Sequence, residues 1–101
     1  MAARIKSPKA ATPAHCQRLE QLPNIGPSLA QDLRGIGIRH PSDLCGQDAY
    51  VLYRRLCERA GRRQDPCVLD TFMAATDFMA GAPAAPWWHY TPKRKARFGP
   101  I

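Results

Sequence analysis

Apolar residues recur three or four positions apart through much of the chain, which is the spacing of one face of an α-helix. The clearest stripe is formed by Leu52, Leu56 and Ala60, which repeat every four residues. A second stripe begins at Val68 and continues to Met79. No stretch alternates convincingly between apolar and polar positions, so the pattern predicts an all-α fold without strands.

Proline and glycine indicate where these helices begin and end. Proline is favoured at the first position of a helix, and glycine just beyond the last. Five short helices are predicted on this basis: Pro13 to Leu22, Pro27 to about Gly35, Pro41 to Gly46, Ala49 to Gly61, and Pro66 to just before Gly81.

The composition divides the chain into three parts. We expect residues 19–80 to form the helical domain, residues 1–18 a basic flexible arm, and residues 81–101 a basic flexible tail that contains prolines and tryptophans. A domain of roughly 60 residues buries only about 60% of the surface of its unfolded chain, so we expect marginal stability.

Charge follows the same division. The net charge is +7, and residues 1–18 and 81–101 each hold four of the fifteen lysines and arginines and no acid. Basic arms favour a polyanion, either nucleic acid or an anionic membrane, although a solvated tail is the alternative. The chain lacks both a signal-peptide core and a run of 18 apolar residues, so we expect a cytoplasmic protein that does not bind membranes.

The four cysteines do not have the spacing of a zinc site, and we expect free thiols, no metal and no cofactor. Cys67 lies in the first turn of a predicted helix, where the helix dipole can lower the pKa of a thiol. Because the sequence indicates no base to act with it, we interpret Cys67 as a small core residue. The protein is therefore not expected to be an enzyme.

The segment "LPNIGPSLA", residues 22–30, has a sequence suited to a tight turn between two helices. Asn24 tolerates the left-handed conformation that ends a helix. We expect Ile25 to fill the gap between the helices, and Gly26 to allow a positive φ or a close approach by another molecule. Pro27 then begins the next helix without the loss of a hydrogen bond.

Such a turn presents free amides at a helix N-terminus, where the helix dipole also favours an anion. We expect the ligand to be a phosphate and the donors to be the amides of Gly26, Ser28 and Leu29. The alternative is a turn that only connects the two helices or contacts a protein. Including the turn that positions them, the predicted DNA-phosphate site consists of Asn24, Ile25, Gly26, Ser28 and Leu29.

The segment "LPNIGPSLAQDL" resembles the helix-hairpin-helix motif, which binds the nucleic-acid backbone without reading its sequence. Asn24 replaces the first glycine of that motif, and Ser28 stands where a lysine or arginine often occurs. The resemblance implies a helix-hairpin-helix unit at the centre of the domain. Over residues 19–97, including "DLCGQDAYVLYRRLCERAGRRQDPCVLDTF" and "PWW" before "TPKRK", the chain also resembles small bacterial pathogenicity-locus and mitomycin-resistance proteins.

Further basic residues are candidates for contacts with DNA. On the fourth predicted helix, Arg55, Arg59 and Arg62 recur at helical spacing and share one side, although a solvated face is an equal alternative. In the tail the candidates are Lys93, Arg94, Lys95 and Arg97.

Trp87 and Trp88 precede the basic run of the tail. Aromatic residues among cations are able to stack on unpaired bases. We favour the interpretation that both tryptophans cover the small core, because an exposed pair would form an unusual apolar patch.

These features predict a DNA-binding protein without sequence specificity, used as an accessory in DNA repair or DNA handling. The alternative is a protein-interaction adaptor with a helical docking surface and incidental contact with DNA. Since a single motif of this kind binds weakly, a homodimer or a second protein partner is also considered.

Overall fold

The computed structural model describes residues 9–101, and over that range the fold is all-α, with no strand. It contains four α-helices: α1 (Pro27–Gly35), α2 (Ala49–Ala60), α3 (Pro66–Met79) and α4 (Thr91–Phe98). Four short 3₁₀ helices connect them, at Pro13–His15, Leu19–Gln21, Pro41–Leu44 and Trp87–Tyr90.

Local capping accounts for α1, α2 and α3, and their predicted positions are confirmed. Proline occupies the first position of α1 and α3. The Asp48 side chain accepts a hydrogen bond of 2.8 Å from the amide of Tyr50 and caps α2. Asp65 caps α3 in the same way through the amide of Cys67, also at 2.8 Å. Gly61 ends α2 with a φ of 71°.

The predicted first helix, from Pro13 to Leu22, is wrong. Two single 3₁₀ turns replace it, and Arg18 between them is extended. The cause is local, because Oε1 of Gln21 accepts hydrogen bonds from the amides of Gln17 and Arg18, at 2.9 and 3.0 Å. These bonds start a new turn at Leu19 instead of continuing the earlier one.

The expected N-terminal arm is only partly within the described residues, because residues 1–8 lie outside them. Residues 9–18 pack against the domain, where Ala10 and Cys16 are buried. The Ala10 amide donates a hydrogen bond of 3.0 Å to the carbonyl of Gln21. This part of the predicted arm therefore belongs to the folded domain.

The predicted third helix is a single 3₁₀ turn, Pro41–Leu44. Oδ2 of Asp43 accepts hydrogen bonds from the amides of Arg39 and His40, both at 3.0 Å. The chain then turns at Gly46, whose φ is 78°. The sequence located this element correctly but overestimated its length.

The basic C-terminal segment is folded, which corrects the expectation of a flexible tail. Helix α4 packs against α3, and the two are joined by an ion pair of 2.6 Å between Arg94 Nε and Asp70 Oδ1. Thr91 donates a second hydrogen bond to Asp70, at 2.7 Å. The Phe98 ring stacks on Tyr50, with 4.7 Å between the ring centroids.

The core lies between these helices and includes the turn before α1. Burial raises the pKa of Tyr53 to about 12, and its hydroxyl donates a hydrogen bond to the carbonyl of Gln64. Within residues 9–101, no helix is long and apolar enough to cross a membrane. The largest wholly buried apolar side chains are Leu19, Leu22, Ile25, Leu33, Leu44, Leu52, Leu69, Phe72 and Phe78.

Candidate functional site

The turn at residues 22–26, here called the Asn24 turn, has much of the expected geometry. Asn24 adopts a φ of 66°, as predicted, and is the sole non-glycine residue with a positive φ in the described chain. Ile25 is completely buried between the 3₁₀ turn Leu19–Gln21 and α1. Ala30 is also completely buried. Gln21, the residue before the Asn24 turn, belongs to the 3₁₀ helix Leu19–Gln21. A regular α-helix, α1, is therefore present only on the C-terminal side of the Asn24 turn.

Lys9 holds the inner side of the Asn24 turn. Its Nζ donates hydrogen bonds to three backbone carbonyls, those of Glu20 at 2.9 Å, Leu22 at 3.0 Å and Ile25 at 2.7 Å. An ammonium has three protons, so it is able to bind all three carbonyls at once. Sequence analysis missed this role because the partners lie 11 to 16 residues away, and no local pattern indicates such a contact.

The outer side of the turn presents backbone donors. The Ala30 amide closes the first turn of α1 on the Gly26 carbonyl, at 3.0 Å. Among the backbone hydrogen bonds of residues 9–101, none has the amide of Gly26, Ser28 or Leu29 as its donor. These amides belong to the group that every helix leaves unsatisfied at its N-terminus.

Gly26 differs in part from its prediction. Its φ is −94° and its ψ −175°, so it is extended, and the expected positive φ is wrong. A Cβ built at Gly26 would have no heavy atom within 4 Å. The backbone is thus open on this side, which leaves room for a close approach.

An ion pair connects the two elements on either side of the turn. Arg34 Nη2 lies 3.0 and 3.1 Å from the two carboxylate oxygens of Glu20. Partial burial raises the pKa of Glu20, but a backbone hydrogen bond and the Arg34 guanidinium outweigh that effect, and the pKa is lowered. The pair orients α1 relative to the preceding 3₁₀ turn.

The three arginines predicted on one side of α2 do not form one group. Arg55 and Arg59 lie on α2 and are exposed, whereas Arg62 follows the glycine that ends this helix. Arg59 lies over Gly35, where an added Cβ would come within 2.6 Å of Arg59 Nε. Gly35 ends α1, so Arg59 lies about 12 Å along that helix from the free amides.

The four basic residues of the C-terminal segment that were predicted to contact DNA differ in their exposure. Arg94 is 8% exposed and paired with the wholly buried Asp70, which corrects the expectation that it contacts a phosphate. Lys93, Lys95 and Arg97 are exposed on α4. The Lys93 ammonium lies 5.0 Å from the centroid of the Tyr90 ring, a cation–π contact that leaves it on the surface.

The tryptophans behave differently from each other. Trp87 is half-buried, but Trp88 is 62% exposed, so the prediction that both cover the core is wrong for Trp88. The two indoles meet edge to face, with centroids 5.6 Å apart. The bulk that the small core needs comes instead from Phe72, Phe78 and Tyr90.

The cysteines of the described chain are free thiols. Burial, followed by the neighbouring carboxylates of Asp65 and Asp70, raises the pKa of Cys67. A raised pKa keeps the thiol protonated at neutral pH, so the helix N-terminus does not activate Cys67. Over residues 9–101, no three histidines, cysteines or acids are grouped closely enough to hold a metal ion.

An open cavity of about 650 Å³ lies between the start of α2, α3 and α4. The carboxylates of Asp48 and Asp77 line it together with the cations of Lys93 and Arg97. Because its lining includes two carboxylates as well as two cations, this cavity is less suited to a phosphate than the outer side of the Asn24 turn.

Comparisons with known proteins give a consistent result. The model of the family Cdd1, described as "Pathogenicity locus", matches residues 12–96. The chain is also similar to the "Mitomycin resistance protein McrB" of Streptomyces lavendulae, with 48% identity over 77 residues. The aligned part covers 76% of this chain and 73% of that protein. No solved structure matches the chain significantly.

Proposed function

The chain belongs to the pathogenicity-locus family, and from this premise we propose that it binds the phosphate backbone of DNA without reading its sequence. The observation that carries the proposal is the outer side of the Asn24 turn, where the amides of Gly26, Ser28 and Leu29 donate no backbone hydrogen bond within residues 9–101. In this proposal the turn and α1 act as the tip of a helix-hairpin-helix unit, with a single 3₁₀ turn in place of its first helix.

Several properties of this surface favour a phosphate. The amides lie at the N-terminus of a helix, where the dipole adds to the attraction of an anion. No Cβ shields the backbone at Gly26, so an oxygen is able to approach the amides directly. Lys9 adds a fixed positive charge on the inner side of the same turn, where its ammonium binds three carbonyls.

The remaining charge supplies attraction over a longer range. The chain has a net charge of +7, and Arg55, Lys93, Lys95 and Arg97 are exposed. Contacts of this kind neutralise phosphates and release counterions, so they strengthen binding to any sequence. We extend the proposal to an accessory role in DNA repair or DNA handling, with which the name of the Streptomyces lavendulae relative is compatible.

The test compares the loss of a backbone contact with DNA and the loss of a charged side chain that contacts DNA. Binding of a fluorescent 20-base-pair duplex is measured by anisotropy at 50 and 200 mM salt for the wild type, Gly26→Val and Arg55→Gln. Valine tolerates the extended backbone of residue 26, and its side chain would cover the amides. Gly26→Val should lower the affinity at both salt concentrations and leave the salt dependence unchanged, because it removes no charge.

Arg55→Gln should instead make the salt dependence shallower, by about 0.9 in the slope of log K against log salt for one phosphate lost. Ala60→Val serves as the control, since Ala60 is exposed at the far end of α2. The proposal is wrong if Gly26→Val keeps its helicity and binds the duplex with unchanged affinity. Binding that does not depend on salt would favour a protein-interaction adaptor.

A further inference from the structure

Trp88 is the most exposed large apolar side chain among the described residues, at 62%. Its ring contact is an edge-to-face arrangement with Trp87, with 85° between the ring planes. In such an arrangement the neighbour covers at most one face of the indole. The other face of Trp88 is therefore available for a flat ligand.

A hydrogen bond connects the segment that carries this indole to the proposed phosphate site. Nδ2 of Asn24 donates a hydrogen bond of 2.8 Å to the carbonyl of Ala85. Trp88 lies three positions after Ala85 in the sequence, and three residues of extended chain span at most about 11 Å. Pro86 restricts the chain between them further, because its φ is fixed by its ring.

Asn24 therefore has two structural roles, one through its backbone and one through its side chain. Its left-handed backbone forms the turn that exposes the amides, and its side chain holds the segment that carries Trp88. Residues of both segments line one surface depression: Lys9, Ala10, Pro23 and Asn24 from the first, and residues 84–86 from the second.

The surroundings of Trp88 favour an anionic ligand with flat rings. No acid occurs after Asp77 in the sequence. The exposed Lys93, Lys95 and Arg97 come after Trp88 in the sequence and lie on α4. Basic surfaces with accessible aromatic side chains are typical of proteins that bind single-stranded nucleic acid. The bases of an intact duplex are already stacked and paired, so their faces are closed to an indole.

We propose that Trp88 stacks on an unpaired base of a DNA strand whose phosphate is bound by the amides of the Asn24 turn. The proposal rests on the proposed function and specifies its substrate: single-stranded DNA, or a duplex in which a strand end, gap or bulge leaves a base unpaired. Asn24 is then a positioning residue, which sets the distance between the two contacts.

The experiment uses the chain's two tryptophans as reporters. Trp87→Phe leaves Trp88 as the only source of tryptophan fluorescence, and Trp88→Phe leaves Trp87. Each is titrated with a 12-nucleotide single strand and with the matching duplex. The single strand should quench the emission of Trp88 strongly and that of Trp87 weakly, and the duplex should quench both weakly.

Affinity provides the second measurement. Trp88→Ala should weaken binding of the single strand roughly 5- to 150-fold, the effect of one lost base–aromatic stack. Binding of the duplex should change less than about twofold. The exposed Val51→Ala is the control for loss of apolar surface, and melting temperatures check that both variants are folded.

The outcomes separate this proposal from the function on which it rests. If Trp88→Ala keeps its single-strand affinity while Gly26→Val loses duplex affinity, DNA binding stands and the stacking proposal is wrong. If the wild type binds neither DNA at 50 mM salt, both proposals fail. A change of oligomeric state in Trp88→Ala would show that a second copy of the chain covers the indole, and would overturn the stacking proposal.

Discussion

Lys9 and Arg94 hold two regions of the molecule together by different chemistry. The Lys9 ammonium lies at a partly exposed site and binds three neutral carbonyls of the Asn24 turn. The Arg94 guanidinium is nearly buried and binds the wholly buried carboxylate of Asp70. In the first region, loss of the cation leaves neutral carbonyls without this donor. In the second, loss of the cation leaves a charge without a partner in the core.

This difference has a consequence for function. A turn that is held by one cation on its inner side keeps its outer amides free, which suits a surface that binds a ligand. A helix that is held by a buried ion pair is fixed in place, which suits a support for the exposed residues of α4. We therefore expect the α3–α4 region to determine stability and the Asn24 turn to determine binding.

The largest predicted effect is that of Arg94→Ala. Breaking a buried ion pair by removal of one partner typically costs about 3–5 kcal/mol. Folded proteins are stable by only about 5–15 kcal/mol, so the variant should lose a large part of its stability. Urea denaturation followed by circular dichroism measures the loss, and Arg97→Ala on the same helix should change stability by less than about 0.5 kcal/mol.

A double variant sharpens this test. Asp70→Leu combined with Arg94→Leu removes both charges together, and apolar replacement of a whole buried pair is often neutral or stabilising. The double variant should therefore be more stable than Arg94→Ala. Equal stability of Arg94→Ala and Arg97→Ala would contradict the structural role of the pair.

A smaller effect is predicted for Lys9→Met. The long apolar side chain of methionine preserves packing but removes three charge-assisted hydrogen bonds. Because the carbonyls of Leu22 and Ile25, two wholly buried residues, would lack this donor, we expect a loss of about 1–3 kcal/mol in the free energy of unfolding. Lys93→Met is the matched control on α4 and should change stability little. If both variants are equally stable, Lys9 does not hold the turn.

The distance in sequence between contacting residues explains which features the sequence was able to predict. The positions of α1, α2 and α3 depend on caps within a few residues, such as Asp48 and Asp65, and a local pattern reveals them. The pair of Asp70 and Arg94 spans 24 residues, and the bond from Asn24 to Ala85 spans 61. Contacts over such distances in the sequence leave no periodic signal, so the sequence predicts a flexible tail where the structure has a folded segment.

The candidate site likewise combines features that local residue preferences predict with features that depend on distant contacts. The left-handed Asn24, the buried Ile25 and the start of α1 at Pro27 follow from the local preferences of those residue types. The role of Lys9 depends on the path of the chain after residue 9 and was not predictable. The exposure of Trp88 depends on how the 3₁₀ turn Trp87–Tyr90 packs on α3, which the sequence does not reveal.

The smallest predicted effect tests the ion pair between Glu20 and Arg34 beside the turn. Both side chains are partly exposed, and such pairs contribute about 0.2–1 kcal/mol. The folded state lowers the pKa of Glu20, so the contribution is present above the ordinary pKa of a glutamate and is lost as the pH falls below it. Glu20→Gln should therefore be slightly less stable than the wild type at pH 7 and closer to it at pH 3.

Comparison of the two proteins at each pH isolates the pair, because the other acids with lowered pKa values, Asp43 and Asp65, are present in both. The measurement is the difference between their urea midpoints at pH 7 and pH 3, with Glu58→Gln as the control for removal of one exposed carboxylate. A difference that stays constant with pH would mean that the Glu20 carboxylate contributes through packing and not through its charge. The Asn24 turn would then depend on Lys9 alone for its electrostatic support, and its contrast with the buried pair of α3 and α4 would be sharper.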